Sequence, residues 1–392
     1  MTDIINIYKK YQAQTFPSPS LLHVKSANGS YIKDYDNKEY LDFVAGVSAC
    51  SIGHCNKQVT IAVQNQINKY SHVMVYGEYI QDPQYKLAKL LADNLPESLS
   101  TTYFTNSGAE AIEGAIKLAK RINKRSEIIY CKDSYHGSTH GALSVMGNEE
   151  YKSNYRPLLP NCNQIIYNNL ESLEKISEKT SAVIVETIQG ASGFIEASQD
   201  FLNQLKKKCI EFNVLIIFDE IQTCFGRTGK LFGFQHTEIV PDILCIAKGM
   251  GGGYPIGAFI SSWENMNKLT HNPKLGHITT FGGHPIGCTA SHATLDYILK
   301  NKIVDSINEK EILFRKLLKH KKIKSISGKG LMLSLDLHDN NETVRIVESC
   351  MNDGLLLFYF LFNDASIRIT PPLTITTEDI KKGCKILLKN LD

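Results

Sequence analysis

No stretch of this 392-residue chain reaches the roughly 20 consecutive apolar residues that cross a bilayer, so a membrane-spanning protein is not expected. Neither charge is in excess. The 43 basic residues face 40 acidic ones and the net charge is +3, which gives no basic surface for a nucleic-acid partner. The ten cysteines form no Cys-x-x-Cys pair and no zinc-type spacing. Scattered thiols of this kind point to a reducing, cytoplasmic setting. Cys50, His54 and Cys55 lie close together, but no fourth ligand is evident; they read as packing residues near a turn, and no metal site is expected. Met1–Lys10 carries charges and lacks the apolar core of a signal peptide. Low-complexity tracts and internal repeats are absent too.

The chain is too long for one compact core, and two or three folding units are expected. Residues 1–45 read as an irregular arm and a short β-unit, with Ser30 to Phe43 alternating around Asp36-Asn37-Lys38. From about residue 57 helical and strand patterns alternate. Gln84–Leu95, Glu110–Arg121 and Asp200–Phe212 have helical periodicity, whereas Tyr103–Thr105, Ile128–Cys131, Ala182–Val185, Val214–Phe218 and Ile243–Ala247 read as strands. This predicts an α/β protein with a mostly parallel sheet covered by helices on both faces. After about residue 290 the pattern changes to helices over 288–300 and 309–319 and short strands near 330–335 and 366–369, a smaller α+β unit. The expected division is an arm and part of the small domain over 1–50, a large domain over 51–288, and the rest of the small domain over 289–392.

Ligands of such sheets gather at the carboxyl ends of the strands. Those ends carry Asn106-Ser107-Gly108-Ala109, Asp133-Ser134-Tyr135-His136-Gly137, Glu186, Asp219-Glu220-Ile221-Gln222 and Lys248. Lys248 ends one apolar run and is followed by glycines; Asp219 ends another. An amine and a carboxylate at neighbouring strand ends suit a pyridine-aldehyde cofactor: the amine forms a Schiff base and the carboxylate keeps the ring nitrogen protonated. Ser107-Gly108-Ala109 opens a helix, where free N–H groups and small residues accept a phosphate; taken alone, it also reads as an ordinary N-cap. Tyr135 suits stacking on a ring, although a lone aromatic after a strand is equally a core residue. Gln222 suits a phenolic oxygen, or else is a surface glutamine. The set is coherent beyond any one member.

Phe218-Asp-Glu-Ile-Gln-Thr-Cys-Phe-Gly-Arg-Thr-Gly, Pro241-Asp242 and Ala247-Lys248-Gly resemble the class III aminotransferases of fold type I, and within them the acetylornithine and ornithine aminotransferases. Tyr40-Leu-Asp-Phe, Gly53-His-Cys, Thr105-Asn-Ser-Gly-Ala-Glu-Ala, Tyr135-His-Gly, Thr279-Thr-Phe-Gly-Gly and Arg368-Ile-Thr-Pro-Pro-Leu extend the resemblance over most of the chain. It implies a large domain with a seven-stranded, mostly parallel sheet and a smaller domain from both terminal segments. It also implies bound pyridoxal 5′-phosphate. Lys248 would hold the cofactor and move protons, Asp219 would pair with the ring nitrogen, and Gln222 with the ring hydroxyl. Glu186 would buttress that region, with Tyr135 stacked on the ring and His136 among the cofactor-binding residues. Ser107, Gly108 and Ala109 would bind the phosphate. Thr280 would reach the phosphate of a neighbouring subunit, so that a homodimer shares its active sites. Arg368 would fork onto the α-carboxylate of glutamate.

Two departures bear on the substrate. The acetylornithine and ornithine enzymes usually carry arginine after Tyr-His-Gly, where this chain has Ser138. They usually carry a glutamate that pairs with the arginine at 368, where it has Ala191. Thr187 for proline and His284 for asparagine are smaller differences. Arg156, Lys152, His140 and Lys25 are candidate replacements for the missing cation. The activity implied is transfer of the terminal amino group of an N-acetylornithine-like donor to 2-oxoglutarate, giving glutamate. Ornithine, 4-aminobutyrate, a polyamine or an amino-sugar are alternative donors. A decarboxylase or racemase, or a non-catalytic binding protein of the same fold, are the other classes.

Overall fold

A computed structural model of the chain describes residues 2–339 and 341–392. Its centre is a seven-stranded sheet in the order Thr101–Thr105, Gly257–Ser261, Ile243–Ile246, Leu215–Asp219, Thr180–Glu186, Glu127–Cys131, Cys162–Ile165. Only Gly257–Ser261 runs against its neighbours; the other pairings are parallel. The middles of the inner strands are apolar on both sides, as suits a sheet with helices on both faces. Ile129, Val183, Val185, Ile216, Phe218, Leu244 and Ile246 pack on one side with the helices Lys57–Ile67, Asp82–Ala92, Gln199–Phe212 and Pro285–Lys300. Ile128, Ala182, Ile184, Ile217, Ile243 and Cys245 alternate with them and face the helix Gly108–Asn123. That helix approaches so closely that a Cβ at Gly114 would overlap the Phe259 ring.

A second core gathers Leu41, Phe43, Phe314, Leu333, Leu335, Ile367, Ile369 and Leu387. Two four-stranded sheets frame it. In one, the antiparallel N-terminal strands Val24–Asn28, Tyr31–Asp34 and Glu39–Asp42 are joined by Leu355–Leu356, which pairs in parallel with Leu41 and Asp42. In the other, Met332–Leu337 and Ser366–Ile369 pair antiparallel at Ser334 and Arg368. Among the described residues no helix is long and apolar enough to cross a membrane.

Three expectations need correction. Thr2–Tyr11 is a helix, not an irregular arm. The strand expected at 330–335 runs over Met332–Leu337, because Gly330 takes a positive φ of 64° in the preceding turn. The helix Pro285–Lys300 gives Cys288, Leu295 and Ile298 to the large core, so its second half belongs there and the two cores divide nearer residue 300 than 288. Replacing Gly114 with valine tests the tight helix–sheet contact. The overpacking is expected to cost about 1–3 kcal/mol, read as a lower urea midpoint with an unchanged slope.

Candidate active site

The register of the central strands assembles the site. Asp219 lies opposite Glu186 on one side and Cys245 on the other. Lys248 follows Cys245 by three residues and opens the short 3-10 turn Lys248–Gly251, with φ 46°. An amine and two carboxylates thus share the carboxyl edge of three adjacent strands.

Asp219 is 5% exposed and its carboxylate is held from two directions. Ile221 N–H donates to Oδ1 at 2.9 Å, and the Nδ1–H of His136 donates to Oδ2 at 2.6 Å. Burial alone would push the His136 imidazole down, but the bond to Asp219 and the charges of Asp219 and Glu186 hold its pKa above the ordinary histidine value. The Nε2 atom of His136 is buried and finds no hydrogen-bond partner among the described residues. Glu186 accepts from Tyr135 N–H at 3.1 Å and from Gly190 N–H at 2.7 Å. Burial pushes its carboxyl up to about 7; His136 opposes this, Asp219 adds to it, and the two N–H groups oppose it. The half-buried Lys248 ammonium is pushed down to about 8 by burial and then by Arg368, while Asp219 and Glu186 pull it up.

The phosphate-binding candidates sit at the mouth of the helix Gly108–Asn123. Ser107, extended at φ −155°, caps it by accepting from Glu110 N–H at 3.2 Å. The N–H groups of Gly108 and Ala109 have no carbonyl one turn back to bond. Space is kept by small residues: a Cβ at Gly137 would come within 2.6 Å of the Ala109 side chain. Asn106 ties this corner to the 279 segment through Thr279 Oγ1 at 3.0 Å and to Glu110 at 2.9 Å. Thr280 itself is exposed.

Arg368, 6% exposed, comes from the small core. It donates through Nη2 to the Gly190 carbonyl at 3.1 Å, and burial lowers its pKa to about 10, with Glu186 pulling it up. It therefore stays charged at neutral pH. Gln222 donates to Ser48 Oγ at 3.1 Å. The Tyr135 hydroxyl lies 3.2 Å from that of the exposed Ser138. None of the four candidate replacement cations sits there. Lys25 binds Asn37, Arg156 binds Glu149, and His140 donates to the Pro157 carbonyl. Lys152 is buried against Tyr130 and the Ser144 and Met146 carbonyls. His54, grouped with Cys50 and Cys55 in the sequence, bonds Asp42 at 2.7 Å.

Sequence reasoning missed Ser48, the Gly190 carbonyl, Phe194 and Phe360. Ser48 ends a run of left-handed residues, Ala45 to Ser48, in which only Gly46 is a glycine. Its neighbour in space, Gln222, lies far along the chain. No local signal marks it.

A helix start able to cradle a phosphate, an amine made easier to deprotonate and a buried carboxylate at one sheet edge match the parts of pyridoxal phosphate: its anion, its aldehyde and its basic ring nitrogen. Together with the seven-stranded sheet they define a pyridoxal-phosphate enzyme of fold type I. The family model "Aminotransferase class-III" matches residues 12–391, and the chain belongs to the class III aminotransferases, which depend on pyridoxal phosphate. It is 38% identical to the acetylornithine aminotransferase of Caldanaerobacter subterraneus subsp. tengcongensis, over 98% of each chain. It is 36% identical to that of Archaeoglobus fulgidus, over 98% of this chain and 100% of the other. The crystal structure of the ornithine aminotransferase from Toxoplasma gondii superimposes with a TM-score of 0.92 at 28% identity, over 99% of this chain and 94% of that one.

The depressed Lys248 pKa gives a test on protein freed of cofactor. Its alkylation by an amine reagent is expected to have a midpoint near pH 8. Asp219→Asn removes an upward pull and should lower that midpoint; Arg368→Leu removes a downward push and should raise it. Peptide mapping of the rate at Lys248 against pH reads both shifts.

Proposed function

We propose that this aminotransferase moves the terminal amino group of an N-acetylornithine-like donor to 2-oxoglutarate, giving glutamate. The observation that carries the reading is the strand register holding Asp219, Glu186 and Lys248 at one edge, with Arg368 reaching in from the small core. When bound, pyridoxal phosphate supplies an electron sink beside the amine-bearing carbon. Lys248 would hold the cofactor and carry a proton to and from that carbon, a task suited to an amine whose pKa burial brings down to about 8. Asp219 would pair with the ring nitrogen, and His136, by donating to Oδ2, holds that carboxylate in place. Ser107, Gly108 and Ala109 bind the phosphate. Tyr135 covers the ring and Gln222 bonds its hydroxyl; Glu186 fixes the backbone N–H groups of Tyr135 and Gly190 and so the walls around both.

Arg368 binds the α-carboxylate of 2-oxoglutarate and of glutamate. No acid at 191 neutralises it, so it stays available throughout the cycle. Thr280 reaches the phosphate of a second copy, which makes the enzyme a homodimer with shared sites. The exposed Met74, Tyr79, Ile80, Ile278 and Phe281 support this, because the segments bearing them approach each other where the His72 and Phe281 rings lie 4.8 Å apart, and exposed apolar side chains so placed suit a second copy.

Ser138 favours a second reading of the donor. With no cation among Lys25, Arg156, His140 and Lys152 to meet a carboxylate there, a polyamine or an amino-sugar also fits. A panel of N-acetylornithine, ornithine, 4-aminobutyrate and putrescine, scored by loss of the cofactor absorbance and its return with 2-oxoglutarate, separates the donors. Lys248→Ala is expected to abolish turnover, and a variant that still transaminated would refute the mechanism. kcat/KM for 2-oxoglutarate should exceed that for pyruvate; equal efficiency would overturn the assignment of the acceptor. Arg368→Lys is expected to cost 2-oxoglutarate binding about 2–5 kcal/mol, measured as a rise in KM.

A further inference from the structure

Arg368 is a buried cation that makes no ion pair among the described residues, Glu186 acting on it only at longer range. Its one hydrogen bond among the described residues is to the Gly190 carbonyl, and its Nε is buried without a partner. Buried guanidinium groups are ordinarily paired. Here the charge is met by aromatic faces instead. The guanidinium carbon lies 4.9 Å from the ring centre of Phe360 and 5.3 Å from that of Phe194. The two rings meet edge to face at 4.7 Å and 78°, and Ile188 and Met332 complete the cluster.

Phe194 is held there at a price in backbone strain. Its φ is 54°, after Gly193 at 103°, a left-handed conformation that a bulky side chain adopts only when its surroundings over-determine it. They do so here. Ser327 donates to the Gly193 carbonyl at 2.7 Å and Phe362 N–H to the Ala191 carbonyl at 3.0 Å. The hairpin formed by Ile188–Gln189 and Ile195–Glu196 is thus pinned to the small core with the Phe194 ring against Arg368.

An acidic partner at this spot would stabilise the cation and occupy its N–H groups. Aromatic faces stabilise it and leave those groups free. We infer that Phe194 and Phe360 are positioning residues for Arg368: they fix its guanidinium with Nε left unpartnered for an incoming carboxylate, in place of an acidic gate. This rests on the reading of Arg368 as the carboxylate receptor.

Glutarate, a dicarboxylate that cannot react, separates the two ideas. Phe194→Leu and Phe360→Leu keep apolar bulk and lose the aromatic face. Each is expected to raise the calorimetric Kd for glutarate and the KM for 2-oxoglutarate about three- to tenfold, with kcat unchanged. Phe360→Tyr should restore both. Unchanged Kd and KM in the leucine variants, or a fall in kcat with KM unmoved, would overturn the positioning role. Arg368→Lys serves as the control. If it leaves glutarate binding intact, the reading of Arg368 fails; if it weakens binding while the leucine variants do not, only the positioning role fails.

Discussion

Everything in the site depends on one buried bond, that between His136 and Asp219. A carboxylate at the end of an apolar strand is expensive unless something charged or strongly polar meets it. His136 does so at 2.6 Å, with both groups almost fully buried. Burial raises Glu186 most, and because the strand pairing puts it directly beside Asp219, the pair adjusts that shift, lowering it through His136 and raising it through Asp219. Lys248 in turn feels both acids. The sheet supplies positions that no side chain can relax away from, and the electrostatics follow from those positions.

How much of this was legible in the sequence follows from burial. The inner strands are covered on both faces, so they stand out as apolar runs, and a charge that ends such a run stands out as well. That is why Asp219 and Lys248 could be read directly. The strand Cys162–Ile165 lies at the sheet edge and mixes polar with apolar residues; Gly257–Ser261 is built largely of small residues. Neither carries a pattern that periodicity detects. Pro285–Lys300 was recognisable as a helix, yet periodicity says only that a helix has an apolar side, not which core that side meets. Arg368 emerged from family resemblance alone. The aromatic rings around it are invisible in sequence because Phe194 reaches its place through a backbone conformation its residue type does not announce.

The same contrast separates chemistry from substrate choice. The groups at the strand ends belong to the large core and are tied to the backbone of the sheet. Arg368 and Phe360 belong to the small core, and the hairpin bearing Phe194 bridges the two. In the proposed reading, substrate recognition is assembled where the two cores meet, and Ser138 and Ala191, the positions at which this chain departs from the pattern of the family it resembles, both lie on loops outside either set of strands.

The pairing of Leu355–Leu356 with Leu41–Asp42 has a consequence for biosynthesis. The early strands cannot finish their sheet until Leu355 and Leu356 have left the ribosome. The central sheet, whose strands all emerge earlier, is free to form first, while the apolar face of the early strands waits uncovered. The nascent chain therefore passes through an interval in which Leu41 and Phe43 lack most of the neighbours that bury them in the finished protein.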